Sequence, residues 1–173
     1  MIESRLNTNV NAFSRAYAEE GMRLWASCKG CLETEERFAH MTDDEFSTFM
    51  QASVLAGMAI AYTGTSIPHG LSYTLTYENG VPHGKAVGVF LSGFLKKYGD
   101  SIEAEYVVKQ LLGFDDIDAF QDYIRTLFGK LDMSEKLWKK DRDGILANPA
   151  KLKNYPFELT ADVLDDYVRY YNA

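Results

Sequence analysis

Cysteine is scarce. The chain has two, Cys28 and Cys31, in 173 residues. That excludes a disulfide-stapled scaffold and suits a reducing, cytoplasmic location. A single C-x-x-C with no second pair and no preceding strand reads as two small apolar residues near a helix end, with Gly30 between them, rather than as a zinc or thioredoxin-like motif. Positive charge is also in deficit: 18 Lys and Arg face 25 Asp and Glu, a net charge of −7. No nucleic-acid or membrane-surface partner is indicated. The opening MIESRLNTNV is polar, so no signal peptide is read. G-x-G-x-x-G and strand–helix alternation are both lacking, so no Rossmann-like dinucleotide-binding domain is expected. Phe46–Tyr62 alone invites a membrane-spanning reading, but it holds Ser47, Thr48, Gln51, Ser53 and Gly57 and reads as a soluble helix.

Charge is missing locally as well. Between Phe46 and Tyr77 there is no Asp, Glu, Lys or Arg, in a chain that is 25% charged. Such a run is expected to be buried or to line a cleft. Two of the three histidines lie at its exit, in one repeated tripeptide: Pro68-His69-Gly70 and Pro82-His83-Gly84. Proline favours the first turn of a helix, so each His is expected to open one. Glycine after each His leaves room for a ligand or another backbone. Imidazole is a common ligand for zinc and iron, although a buried His is more often a hydrogen-bonded core residue. The third, His40, lies in the charged linker Glu33–Met41 and reads as solvated.

Helical periodicity covers nearly the whole chain. Expected helices run from Asn11 to Cys28, with Phe13, Tyr17, Leu24, Trp25, Cys28 and Leu32 on one face; from a Thr42–Glu45 capping box to near Gly64; from Pro68 to near Tyr77, stopped by Glu78-Asn79-Gly80; and from Pro82 to about Tyr98. Four more follow from the spacing of Ile102–Leu111, Ile117–Phe128, Leu137–Ile145 and Val163–Tyr171, with Thr160 as a cap. The charged run Ser134–Asp143 reads as a solvated helix face. Together these predict one all-α domain over residues 1–173, a bundle of about seven or eight helices.

The stretch Ala56-Gly57-Met58-Ala59, His69-Gly70 and His83-Gly84-Lys85-Ala86 resembles, without a gap, the metal-binding core of the iron-containing (group III) alcohol dehydrogenases. Asn154–Tyr170 is similar to that family's closing segment. The resemblance implies the C-terminal helical domain of the dehydroquinate synthase-like, iron-dependent alcohol dehydrogenase fold, with His69 and His83 as metal ligands. It implies Fe²⁺, or Zn²⁺, acting as a Lewis acid. It further implies a small alcohol or aldehyde substrate and NAD(P) in the intact enzyme. Tyr73 stands where the family commonly carries a further His near the nicotinamide, and so inherits a catalytic role. The family's other two ligands, an Asp and a His four residues later, precede an A-x-E sequence that Met1-Ile2-Glu3-Ser4 resembles. On this reading those ligands and the nucleotide-binding half would lie before Met1. The chain alone would be an inactive fragment that self-associates through apolar surface, chiefly at Pro68–Tyr77. A non-catalytic helical module with unused histidines, and a helical hydrolase using carboxylates such as Glu78, remain open beside it.

Overall fold

The computed structural model describes residues 1–99 and 101–172. Among these there are twelve α-helical segments and no strand: α1 Ile2–Arg5, α2 Ala12–Cys28, α3 Glu35–Ala39, α4 Asp43–Thr63, α5 Ile67–Asn79, α6 His83–Gly88, α7 Leu91–Lys96, α8 Ile102–Glu105, α9 Ile117–Phe128, α10 Glu135–Leu146, α11 Pro149–Leu152 and α12 Ala161–Asn172. No described helix is long and apolar enough to cross a membrane.

The expected boundaries hold where local chemistry sets them. Asn11 caps α2, with Ser14 reaching back, and Thr42 and Glu45 form a reciprocal capping box on α4. Gly64 and Gly80, both at positive φ, end α4 and α5. Asp116 caps α9, and Ser134 caps α10. The helix expected from Pro82 to Tyr98 is instead two, α6 and α7, bent at the buried Val89 and Phe90. Close packing flanks the bend. Gly88 lies on the Phe128 ring and Gly93 on the Tyr167 backbone, where a Cβ would stand only 2.4 and 2.7 Å away. The segment expected as one helix from Ile102 is a single α turn followed by a π-helical turn, Tyr106–Leu111.

α5, α7, α9 and α12 enclose the main core, in which Leu71, Phe90, Phe94, Phe120, Leu164, Tyr167 and Tyr171 are buried. α2 packs along α4, burying the small residues Ala18 and Gly21 of one and Ala52 and Ala59 of the other, with Gly21 against the Ala52 carbonyl. Cys28 and Cys31 are buried free thiols at the end of α2 and in the 3₁₀ turn after it, and His40 is exposed.

Four expectations are corrected, two of them in part. The inward face of α2 is Ser14, Ala18, Gly21 and Met22, while Phe13 is exposed. The charge-free helix α4 is buried only at Ala52, Ala59 and Thr63, although Ser53, Ala56 and Ile60 line a cavity, as expected of such a run. Its larger apolar residues Phe46, Met50, Val54, Met58 and Tyr62, an unbroken i, i+4 stripe, are 41–61% exposed. The longer exposed apolar stripe is therefore on α4; in Pro68–Tyr77, Tyr73 and Tyr77 are exposed, while Pro68, Leu71, Ser72 and Leu75 are buried. In the charged run on α10, Asp141 is buried, because it shares a face with Leu137 and Ile145 at i, i+4 spacing.

Candidate metal centre and its cavity

The first turn of a helix leaves backbone N–H groups without partners. At α5 these are answered from the other end of the chain. Ser66, the N-cap residue, makes no side-chain cap. The Glu3 carboxylate, 4% exposed, accepts instead from the backbone N–H of Ser66 at 2.6 Å and of His69 at 3.1 Å. The same carboxylate lies 2.7 Å from Nδ1 of His69. A carboxylate offers no proton, so Nδ1–H is the donor, and Nε2 is left as the ring nitrogen with a free lone pair. Glu3 thus caps the helix, turns the imidazole and selects its tautomer.

His83 is the first residue of α6, directly after Pro82. Its ring centroid lies 5.4 Å from that of His69, at an interplanar angle of 64°. On its other side the Tyr73 ring, one turn beyond His69 on α5, stacks almost parallel, at 6.2 Å and 5°. Lys151 Nζ sits 5.3 Å from the Tyr73 ring centroid and hydrogen-bonds the Thr65 hydroxyl. Of the two glycines that follow the histidines, Gly70 is pressed on Ile145, which brings α5 against α10. Gly84 has open space before it.

The two histidines border a cavity of about 670 Å³. Its wall draws on α1, α2, α4, α6 and α9, with Ile2, Trp25, Ile60, Val87, Ile124 and Phe128 among its apolar surfaces and Gly84 at the histidine end. Tyr73 does not line it; that phenol is 52% exposed.

The sequence-read pair His69 and His83 is therefore brought together, with Tyr73 against it. Periodicity could not reveal Glu3, which sits in a four-residue helix; the signal was its place in the family-like opening Met1-Ile2-Glu3-Ser4. Two neutral imidazoles suit a borderline divalent metal such as Fe²⁺ or Zn²⁺, and the lone pair freed on His69 fits that use. They fill only part of a coordination shell. Among the described residues no group of three or more His, Cys, Asp or Glu could hold a metal ion, and Glu3 is committed to Nδ1 and the backbone.

Known proteins share this arrangement of helices. The crystal structure of an iron-containing alcohol dehydrogenase from Thermotoga maritima superimposes with a TM-score of 0.81 at 26% identity, over 99% of this chain and 45% of that one. A sulfoacetaldehyde reductase from Bifidobacterium kashiwanohense, solved in complex with NAD⁺, gives 0.77 at 26% identity, over 99% and 47%. This chain spans about half the length of these structures. The profile of the Fe-containing alcohol dehydrogenase family, C-terminal, matches residues 2–143, most of the sequence, and the chain belongs to that family.

Proposed function

We propose that this chain is the metal-holding, substrate-facing part of an NAD(P)-linked alcohol dehydrogenase. The observation that carries the reading is the paired imidazoles at the mouth of an apolar cavity, one of them locked by a buried carboxylate. His69, through Nε2, and His83 are the residues that would hold Fe²⁺ or Zn²⁺. When bound, such an ion supplies a Lewis acid at the substrate oxygen. Glu3 keeps His69 in one tautomer and one orientation. Tyr73 packs on the His83 ring and presents its phenol outward, where a nicotinamide brought by a nucleotide-binding unit would approach. The apolar wall excludes water from the carbon that exchanges hydride. In the oxidative direction the alcohol loses a hydride to NAD(P)⁺ and its hydroxyl proton to solvent or to a neighbouring base. The described helices contain no dinucleotide-binding unit, so in this reading NAD(P) is held outside them and the chain works as part of a larger, self-associating assembly.

Calorimetric titration with Zn²⁺ tests the metal role. With two protein ligands, affinity is expected in the micromolar range or weaker, on the order of −8 kcal/mol at best. The His69→Ala/His83→Ala variant should lose it, and His40→Ala should keep it. Equal binding by the double variant would leave the histidines as packing residues of a non-catalytic module. The purified chain is also expected to produce no NAD(P)H from primary alcohols and diols; reliable turnover would show that the helical part carries its own cofactor site.

A further inference from the structure

We propose that the substrate of this site is a long-chain or aromatic alcohol or aldehyde, with one oxygen at the histidines and a hydrocarbon tail filling the cavity. The inference rests on the metal-site reading above and adds to it the class of molecule taken. Its first support is size. About 670 Å³ lies within the range that holds drug-sized ligands, far more than a two- or three-carbon alcohol occupies. Its second is the wall. Leu112, Phe120, Ile124, Leu127 and Phe128 make up much of it, and none of their side chains offers a hydrogen bond. Its third is charge. No Lys or Arg side chain lines the cavity; its one amine is that of Met1, whose charged form burial disfavours, and its single acid, Glu3, has both oxygens taken by His69 and Ser66. A carboxylate or sulfonate tail would find here only this desolvated amine as a counter-ion, and its burial would come at a cost.

The test is calorimetry on the full chain, with and without saturating Zn²⁺, using the straight-chain series from 1-butanol to 1-octanol. Affinity should climb about fourfold per added methylene, and 1,2-propanediol and 4-hydroxybutyrate should bind more weakly than 1-butanol. Ala56→Trp, which narrows the cavity at a half-buried position of α4, should stop the climb at a shorter chain. With Mn²⁺ in place of Zn²⁺, the proton resonances at C1 of 1-octanol should broaden more than its terminal methyl. A flat series, or 4-hydroxybutyrate binding as tightly as 1-octanol, overturns the substrate class; a methyl broadened more than C1 overturns the placement. Failure of the metal reading is separable. If Zn²⁺ does not bind, a series that still climbs in the metal-free chain keeps the apolar tail site and removes only the metal, whereas a flat one removes both.

Discussion

Asp141 shows how one side chain ties pH to the stability of the helix that carries the site. It is 3% exposed, its Oδ1 accepts from the Thr74 hydroxyl at 2.7 Å, and its Oδ2 has no partner. Burial without a cation pushes this carboxyl up to about 7, against the opposing hydrogen bond from Thr74. The folded protein therefore keeps a proton that the unfolded chain releases near pH 4. Between about pH 4 and 7 the native state binds more protons, so this group's contribution to stability is present at low pH and is lost as pH rises through that window. Glu45 is held down to about 2 by hydrogen bonds from the Cys31 thiol, the Thr42 N–H and Arg37, and so acts only below about pH 4.5. The two windows meet only near pH 4 to 4.5, so above that Asp141 acts without Glu45. Urea melts should show wild type losing on the order of a few kcal/mol relative to Asp141→Asn between pH 5 and 7.5. Parallel pH profiles for the two proteins would refute the buried-acid account. The sequence held the clue, since Leu137, Asp141 and Ile145 follow one another at i, i+4. The surrounding Lys and Asp residues masked it. The histidine pair was legible for the opposite reason: a repeated tripeptide stands out against any background.

At the scale of elements, caps were readable and bends were not. Thr42 and Glu45 announce the start of α4 through contacts spanning three residues, which sequence displays directly. The break between α6 and α7 depends on Phe128 and Tyr167, far along the chain, and no local pattern encodes it. The same contacts make two glycines behave oppositely. A methyl at Gly93 would meet Tyr167 Cα at 2.7 Å and its Cβ at 2.8 Å, so α7 and α12 would have to separate. Gly57, mid-way along α4, has nothing within 4 Å of its Cβ position. Gly93→Ala should destabilise by about 1–3 kcal/mol or more, and Gly57→Ala should stabilise by up to about 1 kcal/mol. Chemical denaturation decides both, and a tolerated Gly93→Ala would show that α7 and α12 can move apart at little cost. α4 also explains why a charge-free run need not be buried. Its small residues are spent on close approach to α2, and one helix can turn only one side to that partner.

For the molecule as a whole, the outer face of α4 is an extended apolar surface with nothing among the described residues packed over it. Phe46, Met50, Val54, Met58 and Tyr62 form one stripe along the helix, and Phe13 of α2 stacks beside it on Tyr62 at 6.2 Å. Five large apolar side chains in a row make a contiguous patch of the kind that monomeric proteins rarely leave bare. The stripe carries no charge, so nothing on it opposes a like surface from a second copy, whereas the net charge of −7 is spread over the rest of the chain. Self-association through α4 is the expected outcome, with the stripe as a self-complementary interface across a two-fold axis. Light scattering at rising concentration should show a mass above that of one chain. Phe46→Glu/Val54→Glu should return it to the monomer, because like charges would then face each other across the interface. Both positions are solvent-exposed, so the helical circular dichroism signal should be unchanged, and that separates a lost interface from a lost fold. A wild-type mass of one chain at high concentration, or a double variant that associates as before, would place the contact elsewhere than on α4.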